Sequence, residues 1–287
     1  MSDRVLAVVG RGVVDPTTPV IRGDDVGVTR GDGLFESMRV RNQQPFLFDS
    51  HLGRMQLGAA RMSLPLPDAH AWRATLAAAL TAYGDDLGVL RLFTTRGPDG
   101  EDSPLSYLLV SPVPTTTIAT SRDGTHAVTL SLGMSASARA AAPWLLGGVK
   151  ATSYAVPMAA KREAESRGAV DAIWLSSDGE VLEEATSCVV WVRGGSVFTV
   201  PVDTGILSGT TLECVRALSG AGGVPIVDRH TSLDDLRGAD EMLLLSAIRG
   251  VAPVLTLDGN PVGDGRIGPV GQSLRAAFEE AFTAATQ

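Results

Sequence analysis

Four features in the second half of this 287-residue chain have the makings of chemistry. The first is an amine. Among 24 basic residues only Lys150 and Lys161 are lysines, and the rest are arginines. Arginine keeps its proton, whereas a desolvated lysine can lose its proton and become a nucleophile. Lys161 sits in a charged stretch at helical spacing, residues 158–167, and reads as a solvated helix residue. Lys150 follows Trp144-Leu-Leu-Gly-Gly-Val149, an apolar approach where a lysine is either a snorkelling core-edge residue or a reactive amine. The second feature is Glu183, one helix and one strand further on. The third is Gly205-Ile-Leu-Ser-Gly-Thr-Thr211, a turn running into a helix, whose amides and hydroxyls suit a phosphate. Ser246 and Ala247, which end an apolar run, are the fourth. A lysine for an imine, a carboxylate to keep a pyridine nitrogen protonated and a phosphate cradle are what pyridoxal phosphate chemistry needs. Each also has a plainer reading, as a helix start or a solvated strand carboxylate.

The elements that must position these groups follow from periodicity. Residues 4–9 and 33–40 read as strands, and the polar turn Asn42-Gln-Gln44 leads to a short strand at 45–48. Asp49 or Ser50 caps a helix to about Met62, with Leu52, Met55 and Ala59 on one face. Pro67-Asp68 opens a second helix to about Tyr83, and residues 88–95 and 105–110 are further strands. Ser111-Pro-Val-Pro-Thr-Thr-Thr117 reads as a connector. Beyond it come a strand at 127–132, a helix at 153–167 and a strand at 172–175. A 13-residue strand at 180–192 and a strand at 197–200 follow, then helices at 211–218 and 272–286. The expected fold class is α+β or α/β in two unequal domains. Residues 1–113 form a small N-terminal α/β domain and 114–124 a linker. Residues 125–287 form a larger C-terminal domain carrying Lys150.

Composition narrows the partners. A net charge of −8 disfavours nucleic acid and anionic membrane, but a local arginine pocket can still take an anionic small molecule. Cys188 and Cys214 have neither metal-type spacing nor a disulfide framework, and no metal is expected. That cysteine usage makes a reducing cytoplasm the expected location, and the start of the chain shows no basic segment followed by an apolar one that would read as a signal peptide.

Six stretches in order then carry a resemblance. They are Gly31-Asp-Gly-Leu-Phe-Glu-Ser-Met-Arg39, His51-Leu-Gly-Arg54, Val149-Lys-Ala-Thr-Ser-Tyr154, Gly179-Glu-Val-Leu-Glu-Glu-Ala-Thr-Ser187, residues 205–211, and Ala239-Asp-Glu241 through Ala252-Pro-Val254. The chain resembles the fold-type IV pyridoxal phosphate enzymes, the class IV aminotransferase family, with a D-amino acid aminotransferase-like fold. The resemblance implies that Lys150 bonds pyridoxal 5'-phosphate and shuttles the proton, and that Glu183 faces the ring nitrogen. It implies that Arg54, Thr210 and Thr211 hold the phosphate, with Ser246 also at the cofactor, and that Tyr154 reaches the ring hydroxyl. A homodimer is implied as well. Glu184 stands where many relatives have glycine, and Cys188 where asparagine is common.

Within that family, residues 246–254 are similar to the late strand of the 4-amino-4-deoxychorismate lyases. Transaminases commonly have a threonine at the position of Ala247. The expected reaction is cleavage of aminodeoxychorismate to 4-aminobenzoate and pyruvate. The alternatives are transamination of branched-chain or D-amino acids, and a cofactor-binding scaffold without turnover. A substrate with two carboxylates calls for cationic donors, and Arg39, Arg91 and Arg96 are the candidates because a guanidinium fork suits a carboxylate. Ser37 is the candidate for assisting proton transfer.

Overall fold

A computed structural model describes residues 4–220 and 224–287. The chain divides into two compact units: Met1–Pro114, Val149–Tyr154 and Phe282–Gln287 form one, and Thr115–Gly148 with Ala155–Ala281 the other.

The first unit is a sheet with two long helices. Its elements are β1 (Val5–Val8), β2 (Gly12–Val14), α1 (Val26–Thr29), β3 (Gly33–Arg41), β4 (Gln44–Pro45), α2 (Phe48–Met62), α3 (Ala69–Tyr83), β5 (Gly88–Thr95) and β6 (Leu105–Pro112). The strand order is β2-β1-β6-β5-β3-β4, with antiparallel pairing throughout. Alternate side chains of a strand point to one face. Leu34, Met38 and Val40 of β3 join Leu90, Leu92, Leu108 and Val110 in a core with Leu52 and Met55 of α2 and Trp72 and Leu76 of α3. Asp68 caps α3 by accepting the Ala71 amide, as the Pro67-Asp68 pair led one to expect.

The start of α2 differs from expectation. Asn42 and Gln43 adopt positive φ, so the return strand is only two residues long. Leu47 then occupies the cap position at φ 58 with no side-chain cap, and Asp49 and Ser50 lie inside the helix. A left-handed leucine ends a strand as firmly as a polar cap would, and its type gives no warning of it.

In the second unit the elements are α4 (Thr115–Asp123), β7 (Thr125–Ser131), α5 (Ala138–Ala141), α6 (Ala155–Ser166), β8 (Asp171–Leu175), β9 (Val181–Glu184), β10 (Cys188–Arg193), β11 (Ser196–Thr199), α7 (Thr210–Gly220), β12 (Ile226–Asp228), α8 (Leu233–Arg237), β13 (Glu241–Ser246), β14 (Gly250–Leu257), β15 (Asn260–Pro261) and α9 (Pro269–Ala285), whose residues from Phe282 onward count with the first unit. Among the described residues one sheet runs β12-β11-β10-β13-β14-β7-β8-β9, with β15 added to β14. Trp191, Ile173, Leu182, Met242 and Leu244 belong to its core.

Three expectations are corrected in this unit and at its border. The supposed linker contains α4, whose Thr120 hydroxyl donates back to the Thr116 carbonyl and whose Ser121 and Arg122 carbonyls accept Arg275. Those internal and tertiary bonds turn a threonine-rich connector into a helix. The supposed 13-residue strand is two strands, because residues 185–187 turn between β9 and β10 with the Glu184 amide donating to the Ser187 carbonyl at 2.9 Å. Finally, the Lys150 segment groups with the first unit. The Phe35 amide donates to the Lys150 carbonyl at 3.1 Å and the Thr152 amide to the Gly33 carbonyl at 2.8 Å. Residues 150–152 thus run alongside the first residues of β3. A Cβ on Gly33 would fall 2.7 Å from the Thr94 carbonyl oxygen and 2.9 Å from Thr152 Oγ1, so that approach requires glycine.

Candidate active site

The first unit places an amine and a cation on neighbouring parts of its sheet. Lys150 Nζ lies 4.3 Å from the centroid of the Phe35 ring and 5.6 Å from that of Tyr154. The two rings meet edge-on at 5.1 Å, making an aromatic corner around the amine. On the opposite face of β3, Glu36 is fully buried between Leu34 and Met38. Arg54 Nε donates to Glu36 Oε1 at 2.8 Å and Arg54 Nη2 to Oε2 at 2.7 Å, a two-pronged pair. His51 Nδ1 donates to the same Oε2 at 2.7 Å. Burial by itself would raise the Glu36 pKa, but the hydrogen bonds from Arg54 and then His51 outweigh it and bring it down to about 2. Burial likewise pushes the His51 imidazole below its ordinary value, against the pull of Glu36. Arg54 is 13% exposed at its side chain and is held in one orientation by a carboxylate that keeps its charge.

Neither Glu36 nor His51 was among the residues that sequence reasoning singled out for function. The signal was present. A glutamate on the apolar face of a strand demands a buried cation, and His51 and Arg54 are three apart on one helix, hence on one face.

The second unit holds Glu183 and the glycine turn. Glu183 Oε1 accepts Arg139 Nη1 at 2.9 Å and Oε2 accepts the Leu207 amide at 3.0 Å, so the carboxylate is fixed at both oxygens. Arg139 lies on α5 in an alanine-rich stretch and carried no signal in the sequence. α7 begins at Thr210, with Thr210 and Thr211 both buried, and its first amides make the anion-favouring end of a helix. Gly209 lets the turn pass close to Cys188, since a Cβ would stand 2.4 Å from Cys188 Sγ. Ser246 ends β13, half-buried, and residues 247–249 turn into β14.

The candidates for the substrate fare differently. Ser37 and Arg91 face each other across β3 and β5, one alternate position from the Phe35–Phe93 pair. That spacing puts them about 7 Å along the strand from the ring that contacts Lys150. Arg91 Nη1 donates to Ser111 Oγ at 3.1 Å. Arg39 is displaced further, about 13 Å along the strand from Phe35. Its guanidinium is buried and lies 5.3 Å from the Phe282 ring centroid. Arg96 has a structural post. Its Nε donates to Asp32 at 2.6 Å, Nη2 to Asp32 and to the Met62 carbonyl, and Nη1 to the Ser63 carbonyl. It ties off the carbonyls at the end of α2.

Comparison with known proteins gives the family. The family model described as amino-transferase class IV matches residues 33–257. A bifunctional aminodeoxychorismate lyase / D-amino acid transaminase of Mycobacterium tuberculosis is 38% identical over 257 residues, covering 86% of this chain and 89% of the relative. A hypothetical aminotransferase from Mycobacterium tuberculosis, in its PLP-bound form, superposes with a TM-score of 0.91 at 34% identity, over 98% of this chain and 99% of that one. The fold IV-transaminase CpuTA1 from Curtobacterium pusillum gives a TM-score of 0.90 at 35% identity, over 99% and 100% of the two chains. The two-unit α/β architecture, the lysine and carboxylate motifs in order and these matches together place this chain in the class IV aminotransferase family of pyridoxal phosphate-dependent, fold-type IV enzymes.

Proposed function

We propose that this enzyme is a 4-amino-4-deoxychorismate lyase that releases 4-aminobenzoate and pyruvate. The observation that carries the reading is the likeness, over 86% of the chain, to a relative named for that lyase activity. Residues 246–254, with Ala247 in place of a hydroxyl residue, point the same way. The same relative is also named a D-amino acid transaminase, which supports transfer of an amine from D-amino acids as a second activity of the same residues.

The residues present fit the cofactor by the chemistry of their donors: an amine against two rings, an arginine held by a charged carboxylate, a helix start and a glutamate fixed at both oxygens. When bound, pyridoxal phosphate supplies a carbon that bonds amines and a ring that withdraws electrons. Lys150 is the residue that bonds it, and Lys150 Nζ takes the proton from the amine-bearing carbon of the substrate. Glu183 holds a proton at the ring nitrogen, and Arg139 and the Leu207 amide keep its carboxylate from turning away. Arg54 and the amides at Thr210 and Thr211 bind the phosphate, with Ser246 beside it. Tyr154 packs on Phe35 and orients the amine. Arg91 receives a carboxylate of the substrate, and Ser37 opposite it donates or accepts a hydrogen bond. Loss of enolpyruvate, released as pyruvate, leaves the substrate ring aromatic, which drives the lyase direction.

The deciding experiment gives the purified enzyme aminodeoxychorismate and measures 4-aminobenzoate, beside a panel of D- and L-amino acids with 2-oxoglutarate. Formation of 4-aminobenzoate is the expected outcome. Amine transfer without any 4-aminobenzoate would reject the lyase assignment in favour of the transaminase. Lys150→Ala is expected to abolish both activities and borohydride labelling while the far-ultraviolet circular dichroism stays unchanged. A homodimer is the expected assembly, which light scattering on a sizing column checks.

A further inference from the structure

The second lysine and the carboxylate next to Glu183 meet in a buried cluster for which the chemistry above has no use. Neighbouring strand residues point to opposite faces. Glu183 therefore leaves β9 toward Arg139 and Leu207, while Glu184 enters the interior, where it is 1% exposed. Three more charged side chains surround it. Arg249 Nη1 donates to Asp171 Oδ2 at 2.8 Å, and Arg249 Nη2 lies 3.7 Å from Glu184 Oε2. Lys161 Nζ stands 3.4 Å from Asp171 and 4.0 Å from Glu184. Lys161 is thus a member of a buried network and not the solvated helix residue its sequence context suggested. Thr125 Oγ1 completes Asp171 at 2.6 Å, and Glu184 Oε1 is left without a hydrogen-bond partner.

Burying ions in this way is a poor route to stability, because apolar replacements are often neutral or better. Its effect is geometric, and the contacts show on what. Glu184 Oε2 accepts both the Thr186 amide, at 2.8 Å, and the Thr186 hydroxyl, at 3.0 Å. Arg249 Nη2 donates to Ser187 Oγ at 2.9 Å. All three bonds land on the turn at residues 185–187. That turn delivers Cys188, whose sulfur lies 3.9 Å from the Leu207 carbonyl, and the Leu207 amide in turn fixes Glu183 Oε2. The path closes: from Glu183 through Leu207, Cys188 and the turn back to Glu184.

We propose that Glu184 and Arg249 are positioning residues, which hold the turn at residues 185–187 and through it the orientation of the Glu183 carboxylate. The inference rests on the role given above to Glu183. Its test is a double-mutant cycle read by cofactor affinity and by the melting temperature of the cofactor-free protein. Pyridoxal phosphate is titrated into the parent, Glu184→Gln, Glu183→Gln and the double variant. Glu184→Gln is expected to weaken cofactor binding about tenfold, the size seen when a group that orients a ligand residue is removed, with the melting temperature nearly unchanged. In the Glu183→Gln background the same change is expected to add nothing. An equal loss in both backgrounds, or a lower melting temperature with unchanged affinity, would overturn the proposal. Ser187→Ala, which removes only the anchor of Arg249 on the turn, is expected to repeat the pattern and serves if Glu184→Gln folds poorly. An unchanged affinity in Glu183→Gln by itself would refute the role of Glu183, a failure recognisable because Glu184 takes no part in it.

Discussion

Glu36 in the first unit and Glu184 in the second are both excluded from solvent, at 0% and 1% exposure, and both have arginine and a second basic group nearby. Their protons behave in opposite ways. Glu36 accepts three charged or polar donors at 2.7–2.8 Å, and its pKa falls to about 2. Glu184 has its cations at 3.7 and 4.0 Å, shares them with Asp171, and keeps one oxygen without a bond. Burial first, and the charge of Asp171 second, raise its pKa. Proximity of a cation is therefore not enough to bring a buried carboxylate below its ordinary pKa. Charged donors in hydrogen-bonding contact, as Arg54 is to Glu36, are what offset desolvation, and the neutral Thr186 donors of Glu184 do not. The two sites also spend this chemistry differently, one to fix a cation and the other to fix a turn.

The largest expected effect tests the contact-bonded site. Glu36→Gln leaves the buried Arg54 and His51 without their counter-charge, and should cost about 3–5 kcal/mol in urea unfolding. It should also weaken pyridoxal phosphate binding, since Arg54 loses its fixed orientation. An unfolding free energy close to the parent's would show that the pair contributes little.

Next comes the response to pH. The Glu36 pKa is depressed on folding, so its contribution is complete above the unfolded value, near 4.5, and is lost as pH falls toward about 2. The loss should amount to about 3 kcal/mol. The depressed His51 adds loss of the same sign as pH falls below its ordinary 6.5. Glu184 has the opposite sign: its raised pKa gives a contribution present below its ordinary 4.5 and lost as pH rises. Acid unfolding curves of the parent and of Glu36→Gln should therefore diverge in slope between pH 4.5 and about 2. Parallel curves would contradict the assignment.

A smaller effect is expected at Arg96, which bonds Asp32 and two helix-end carbonyls in a partly exposed setting. Arg96→Ala should cost about 1–2 kcal/mol while turnover per folded molecule stays unchanged; a raised KM with parental stability would return it to the substrate site. The smallest is Glu184→Gln, expected to alter stability at neutral pH by less than about 1 kcal/mol, because the carboxyl it replaces is poorly satisfied where it stands. A loss as large as that of Glu36→Gln, measured in the same urea series, would erase the distinction between the two sites.

Much of this was legible in one dimension. The alternation in residues 33–40, the cap at Asp68 and the apolar face of Leu52, Met55 and Ala59 report interactions between residues near in sequence, and the structure has each of them. The order of the motifs around Lys150, Glu183 and Thr210 likewise sufficed to identify the family. What failed was of another kind. The strand expected at 180–192 is broken by a turn whose bonds come from Glu184 and from Arg249, 62 residues beyond Ser187. Lys161 looked solvated because its neighbours in sequence are charged, whereas its partner Asp171 stands at the start of β8, beyond the end of its helix.

The amino-acid sequence by itself determined the type of chemistry, because an amine, a carboxylate and a helix start declare their reactivity through residue type and short-range pattern. Only the tertiary structure decided what the candidate arginines meet, as Arg39 meets Phe282 and Arg96 the end of α2. It alone revealed Arg139 and Glu36 as the partners that hold Glu183 and Arg54. The reason is physical: a side chain's reactivity is intrinsic, but its orientation and charge are set by donors and acceptors that the fold brings from distant parts of the chain.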